Sequence, residues 1–277
     1  MKRLVMLGAL VAIAVVGVLG GFGGERVNAQ ESAGGIGVLE DNFKCYRAVG
    51  FDFDGEGQDV FINDDLDGGK GQGKEATVER PNALCNPVEK EGNDGGAVAG
   101  DPFETSDFYT CYKIDQEGFF FDFVGVSNQF GDQEFFVRTA NQLCLRSFKE
   151  SDEVIEAAGG GPEVEDDLPH LKCYPASWTD WEGFEPIEVE LEDQFRETSA
   201  LVLWPVSLCS PIIEWDFEEF SIPNGSAAGD GADFLVCYRI WEPGLEINLV
   251  ETENELGYAD MVVLWAQTLC VTSDYPD

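Results

Sequence analysis

The stretch that opens with Cys173-Tyr174 and closes with Leu208-Cys209 decides the fold, because the same outline occurs four times in the 277-residue chain. The opening Cys-Tyr pairs begin at positions 45, 111, 173 and 237, at intervals of 66, 62 and 64 residues. The closing Leu-Cys pairs end at positions 85, 144, 209 and 270. Self-similarity at a nearly fixed period is typical of a duplicated structural module. The sequence therefore predicts four tandem modules of about 64 residues.

A second signature, Val-x-apolar-x-Asp/Asn-x-Phe/Leu, stands between the two cysteines of every module. It occupies Val60–Leu66, Val124–Phe130, Val189–Phe195 and Val250–Leu256. Alternation with period two indicates a half-buried strand, and Asp or Asn suits the turn that ends it. Apolar, β-branched and aromatic runs around the opening and closing cysteines predict two more strands. We expect an all-β protein of disulfide-stapled modules, packed in pairs as sandwiches or barrels.

The eight cysteines all belong to the repeats, and their even number indicates structural disulfides in an exported chain. If every module folds alike, the first cysteine of each joins the last. The alternative is a chain of bridges between neighbouring modules, such as Cys85 to Cys111, with Cys45 left to join Cys270. Sequence alone does not choose between these schemes. The expected disulfide residues are Cys45, Cys85, Cys111, Cys144, Cys173, Cys209, Cys237 and Cys270.

The N-terminus reads as a secretory signal, with Lys2 and Arg3 before an apolar run and a cleavage site after Ala29. No later stretch predicts a membrane span, so we expect a secreted, periplasmic or cell-surface protein. The expected organisation is a signal peptide at 1–29, a linker at 30–40, repeat 1 at 41–90, a linker at 91–103, repeat 2 at 104–149, an acidic and Gly-rich linker at 150–169, repeat 3 at 170–213, a linker or extra strand at 214–233, and repeat 4 at 234–277.

The charge balance excludes two classes of partner. The chain has 54 acidic and 16 basic residues, a formal net charge of −38. Such a field repels nucleic acid and anionic membranes, so neither is an expected partner. The acidity fits either solubility in a saline habitat or the binding of divalent cations.

The acidic segment of repeat 1 resembles the start of a calcium loop, with Asp64, Asp65 and Asp67 ahead of Gly68. Counted from Asn63, however, the twelfth position is Lys74, where such a loop needs a bidentate Glu. We therefore expect a solvated turn and no cofactor, with calcium at these three aspartates as the speculative alternative.

The six tryptophans all lie in the second half of the chain. Trp178 and Trp181, in the loop before the middle strand of repeat 3, are expected to be exposed and are the candidate ligand-binding residues. Trp204 and Trp265 each stand five residues before a closing cysteine, where the first two repeats have Arg80 and Thr139. We expect these two tryptophans to pack between repeats 3 and 4.

Repeat 3, with Cys173-Tyr174, Asp193-Gln194-Phe195 and Leu208-Cys209-Ser210-Pro211, resembles a family of secreted bacterial proteins built from tandem modules of uncharacterised function. Repeats 1, 2 and 4 match the pattern in part, and the resemblance covers about residues 40 to 277. It implies a secreted repeat protein and supplies no catalytic residues.

No nucleophile motif accompanies the single histidine, His170, and the sequence does not predict an enzyme. The leading hypothesis is a non-enzymatic secreted or envelope-associated protein with a structural or binding role toward a protein or glycan. The alternatives are a carbohydrate-binding or adhesion protein, assisted by calcium, and a secreted hydrolase.

Overall fold

The computed structural model describes residues 42–66, 73–90, 108–149, 169–179, 184–217, 220–222, 234–244 and 247–276. These residues belong to one compact unit, Ala33–Asp277. The predicted signal peptide and the expected linker at 91–103 lie outside them. The strands are β1 (Asn42–Phe53), β2 (Asp59–Asp64), β3 (Lys74–Lys90), β4 (Phe108–Gln116), β5 (Phe121–Asn128), β6 (Gly131–Arg138), β7 (Gln142–Lys149), β8 (Leu171–Trp178), β9 (Ile187–Glu192), β10 (Glu197–Phe217), β11 (Phe220–Ile222), β12 (Phe234–Trp241), β13 (Asn248–Asn254) and β14 (Gly257–Ser273).

Eight of these strands close into one antiparallel barrel, in the order β1-β3-β4-β7-β8-β10-β12-β14 and back to β1. Each repeat contributes the strand of its opening cysteine and the strand of its closing cysteine. The all-β prediction is confirmed, and the four repeats form a single barrel. A closed barrel leaves none of these eight strands as a free edge.

The Cys-Tyr and Leu-Cys pairs are explained by the alternation of side chains along a strand. Cys45 and Cys85 face each other in the register of β1 and β3 and point into the barrel, and the corresponding cysteines of the other repeats do the same. The adjacent Tyr46 and Leu84 point outward, yet both are fully buried. The outward face is therefore covered by a second layer.

The second layer joins repeats that lie diagonally across the barrel. Strand β2 of repeat 1 pairs with β10 of repeat 3, and β9 of repeat 3 pairs with the end of β3 in repeat 1. Strand β13 of repeat 4 pairs with β7 of repeat 2, and Ser127 in β5 of repeat 2 bridges to Asp274 in repeat 4. Glu214–Phe217, within the segment expected to be a linker or extra strand, belong to β10. Each repeat thus contacts the repeat opposite to it, and β6 of repeat 2 also pairs with β8 of the neighbouring repeat 3.

The Asp or Asn of the middle signature ends its strand in a turn, as predicted, and also bonds a diagonal tyrosine. Asp193 Oδ1 accepts the backbone N–H groups of Phe195 and Arg196, while its Oδ2 accepts the Tyr46 hydroxyl at 2.7 Å. Asp64 accepts the Tyr174 hydroxyl at 2.9 and 2.7 Å. One short polar side chain therefore fixes both the local turn and the contact between repeats 1 and 3.

Repeats 2 and 4 make the same exchange with amides instead of carboxylates. The Asn254 amide donates to the Tyr112 hydroxyl at 2.7 Å, and the Asn128 amide donates to the Tyr238 hydroxyl at 3.0 Å. Burial raises the pKa of both tyrosines above the ordinary range of a phenol, although their hydrogen bonds to the amides act in the opposite direction. Both hydroxyls therefore stay protonated across the physiological pH range.

Four disulfides join the first and last cysteine of each repeat, Cys45–Cys85, Cys111–Cys144, Cys173–Cys209 and Cys237–Cys270. This is the within-repeat scheme. Such bonds persist in oxidising compartments, which indicates an extracytoplasmic environment. The residues that the structure describes include no helix long and apolar enough to cross a membrane.

Candidate functional site at the open end of the barrel

A ring of eight sulfur atoms lines the barrel interior. Within a repeat the Sγ atoms are bonded, and at three of the four junctions between repeats they are in contact: Cys45 to Cys270 at 3.5 Å, Cys85 to Cys111 at 3.7 Å, and Cys144 to Cys173 at 3.8 Å. All eight cysteines are nearly buried and border a cavity of about 270 Å³. The ring lies between the two ends of the barrel, which differ in chemistry.

One end of this cavity is closed by large side chains. They stand two residues before the opening cysteines, so alternation brings them to the same interior face. They are Phe43, Tyr109, Leu171 and Leu235, all at most 2% exposed. The rings of Phe43 and Tyr109 lie 5.0 Å apart, and the Tyr109 hydroxyl donates to the Pro169 carbonyl at 3.0 Å. We call this the closed end.

The other end carries polar side chains. Each closing strand runs from this end toward its cysteine, and each opening strand runs from its cysteine toward this end. The cavity is bordered here by Asn82, Asn141, Gln142, Ser207, Gln267 and Thr268. The Gln142 amide donates to Asn82 Oδ1 at 2.8 Å, which links the closing strands of repeats 1 and 2. We call this the open end.

Cationic side chains surround the open end. Two residues after the opening cysteine the repeats have Arg47, Lys113, Pro175 and Arg239. Five and six residues before the closing cysteine, Arg80 and Arg138 add two more cations. Together with the exposed Trp204 and Trp265, these five cations form what we call the rim.

The rim concentrates the exposed positive charge of an otherwise acidic molecule. Among the lysines and arginines whose side chains the structure describes, the five of the rim are the exposed ones. The others are buried or half-buried: Lys44, Lys74, Arg146, Lys172 and Arg196. In a chain with 54 acidic residues, the exposed cations of the described surface are thus grouped at the open end.

Two kinds of contact hold the rim side chains in place. The Arg47 guanidinium lies 5.6 Å from the centre of the Trp265 ring, a cation–π contact that orients both groups. Lys113 Nζ lies 2.7 Å from Glu79 Oε1, and Arg80 Nε lies 3.0 Å from Glu56 Oε1. These two ion pairs are exposed, so they direct the side chains more than they stabilise the fold.

The tryptophans differ from their expected roles. Trp178 is half-buried and packs against Phe184 at a centroid distance of 5.7 Å, and Trp181 lies outside the described residues. Trp204 and Trp265, expected in the core, are 54% and 40% exposed. The expectation of burial was wrong because the residue five before the closing cysteine lies beyond the second layer, at the rim.

The three aspartates of the speculative calcium site do not present a common ligand set. Asp64 is buried and accepts the Tyr174 hydroxyl, Asp65 is exposed, and Asp67 lies outside the described residues. Across the described ranges, no three His, Cys, Asp or Glu side chains are grouped as metal ligands.

Comparison with protein-family models, with curated proteins and with solved structures finds no match to this chain.

The rim was not predicted from the sequence. Its signal is the position two residues after each opening cysteine, which is Arg, Lys, Pro and Arg in a chain with only 16 basic residues. That these four positions lie on one ring can be recognised only when the repeats are known to share a barrel.

Proposed function

We propose that this protein is a secreted or envelope-associated, non-enzymatic binding protein whose open barrel end binds an acidic glycan. The observation that carries the proposal is the rim: five exposed cations and two exposed tryptophans around a polar cavity, on a chain of net charge −38. The repeats supply the scaffold, and the residues that differ among them supply the site.

The chemistry of the rim suits a sugar that carries carboxylate groups. Arginine forms paired hydrogen bonds with carboxylates, and Arg47 and Arg239 occupy equivalent places in repeats 1 and 4. Trp204 and Trp265 offer flat apolar faces beside them, a combination enriched at binding sites. The amides and hydroxyls inside the mouth, such as Asn82, match the donor and acceptor pattern of sugar hydroxyls.

The size of the cavity limits what enters it. At about 270 Å³ it lies just below the usual range of about 300–1,000 Å³ for small-molecule pockets. We expect the end unit of a glycan to enter, while the rim binds the adjoining units. At 0.15 M salt the Debye length is about 8 Å, so the rim acts locally and the distant carboxylates are screened.

Calorimetric titration of the exported chain with oligogalacturonate, at 0.15 M salt, tests the proposal. The double variant Arg47→Ala/Arg239→Ala is expected to weaken binding at least tenfold, because two charge-assisted contacts are lost. The matched variant Arg47→Lys/Arg239→Lys keeps the charge and is expected to retain part of the affinity. Uncharged galactan oligomers serve as the ligand control.

Equal affinity of the wild-type protein and the double alanine variant would show that the rim is not part of the binding site. Equal affinity for the uncharged oligomers would show that carboxylates are not recognised. Absence of binding to both ligands would contradict the acidic-glycan proposal as a whole.

A further inference from the structure

The sulfur ring is arranged for more than cross-linking. Going round the barrel, each cysteine is bonded to one neighbour, and at three of the four junctions between repeats its sulfur also lies within 3.8 Å of the next sulfur. We propose that the ring is a thiol–disulfide exchange site, in which a free thiolate passes from repeat to repeat along the interior of the barrel.

The register places the four junctions between repeats alike. At the junction of repeats 1 and 2, Cys85 is paired with Tyr109 and Cys111 with Ala83; at the junction of repeats 3 and 4, Cys209 is paired with Leu235 and Cys237 with Ser207. The same offset occurs at the two remaining junctions. Sulfur–sulfur separations of 3.5, 3.7 and 3.8 Å at three junctions are close to the ~3–3.5 Å of reactive encounters.

Exchange at a junction needs neither an oxidant nor a reductant. When Cys85 is a thiolate, its sulfur attacks Sγ of Cys111, and a Cys85–Cys111 bond forms. The Cys111–Cys144 bond breaks, and its electron pair remains on Cys144 as a thiolate. The number of disulfides is unchanged, and the free thiolate has moved by one repeat. Cys144 then faces Cys173 in the same way.

A small thiol that enters through the open end can start the process. Its thiolate attacks the Cys45–Cys85 bond, joins Cys45 as a mixed disulfide and releases Cys85 as a thiolate. All eight cysteines border the cavity but are at most 5% exposed. A small thiol therefore has a route to the ring, whereas a folded protein does not.

Two variants that each leave one odd cysteine test the proposal. In Cys45→Ala the free thiol starts on Cys85 and is expected to spread to Cys144, Cys209 and Cys270. In Cys85→Ala it starts on Cys45 and is expected to spread to Cys237, Cys173 and Cys111. Each folded variant is held at pH 8, alkylated after acid quenching and mapped by mass spectrometry without reduction.

The two variants must give complementary sets, because exchange between adjacent sulfurs moves the thiol by one repeat in a fixed direction. A label confined to Cys85 in the first variant and to Cys45 in the second would overturn the proposal. A label spread over all seven cysteines in either variant would overturn it as well, since that pattern requires exchange outside the ring. The double variant Cys45→Ala/Cys85→Ala has no odd thiol and is the control for adventitious labelling.

Discussion

The two ends of the barrel are built by the same eight strands, yet they have opposite chemistry. Two residues before each opening cysteine the side chains are large, apolar and buried, and they close the cavity. Two residues after the same cysteines, three of the four side chains are cationic and exposed. The sulfur ring therefore divides the barrel into an end that is filled by apolar packing and an end that is polar and cationic, at which we propose that the ligand binds.

A cavity at the closed end should destabilise the protein more than any other change considered below. Phe43→Ala removes a fully buried ring that packs against Tyr109, and large-to-small core changes of this kind cost about 3–5 kcal/mol. Urea unfolding monitored by tryptophan fluorescence measures the loss. Phe43→Leu, which keeps more of the volume, is expected to cost less. A loss below about 1 kcal/mol for Phe43→Ala would show that the closed end does not hold the barrel together.

Outside the barrel, the hydrogen bonds that join repeats 1 and 3 should contribute more to stability than those that join repeats 2 and 4. Tyr174→Phe removes a hydrogen bond to the buried carboxylate of Asp64, which is worth about 1.5–3 kcal/mol. Tyr112→Phe removes a neutral hydrogen bond from Asn254, which is worth about 1 kcal/mol. The same urea experiment compares the two variants. A greater loss of stability for Tyr112→Phe than for Tyr174→Phe would contradict the assignment of the stronger, charged hydrogen bond to repeats 1 and 3.

At the open end, loss of a tryptophan should change binding without changing stability. Trp265→Ala removes an exposed ring, and we expect a stability change within about 0.5 kcal/mol. Oligogalacturonate binding should weaken severalfold in the same variant. Tyr275→Ala is the control for binding, because Tyr275 is 48% exposed and packs against Phe234, which adjoins the closed end. A destabilisation above 2 kcal/mol for Trp265→Ala would make this residue part of the packing.

The smallest effect is a pH dependence beside the closed end. Burial alone would raise the pKa of Glu255, but the hydrogen bond and charge of His170, with the charge of Arg146, lower it below the ordinary value. His170 Nε2 lies 3.3 Å from Glu255 Oε1. A depressed folded-state pKa means that this contribution is fully present above the unfolded-state pKa and is lost as the pH falls through the folded-state value.

Melting temperatures of the wild-type protein and Glu255→Gln, measured at pH 6 and at pH 3, test this dependence. The wild-type protein is expected to melt slightly higher at pH 6, and the gap should shrink at pH 3. A gap that widens at pH 3 would contradict the assigned direction of the shift.

Much of the fold could be predicted because it is local and repeated. The Cys-Tyr and Leu-Cys pairs predicted the strands and their two faces, the within-repeat disulfides are one of the two schemes that the sequence left open, and Asp193 begins the turn after its strand as predicted. The pairing of diagonal repeats could not be predicted, because Tyr46 and Asp193 are 147 residues apart and no local pattern specifies that distance. For the same reason Trp178, expected to be exposed, is half-buried, and Trp265, expected to be buried, is exposed. The exposure of each depends on the second layer.

If the open end binds the glycan as we propose, and the closed end only packs, a bound ligand should protect one end of the barrel alone. Hydrogen–deuterium exchange of the protein, with and without saturating oligogalacturonate, compares the two ends in one measurement. We expect ligand-dependent protection in peptides that contain Arg47, Trp204, Arg239 and Trp265, with unchanged exchange in residues 212–216 of β10, which lie beyond the closed end. Protection centred on residues 212–216, or on no part of the rim, would show that the open end is not the binding site.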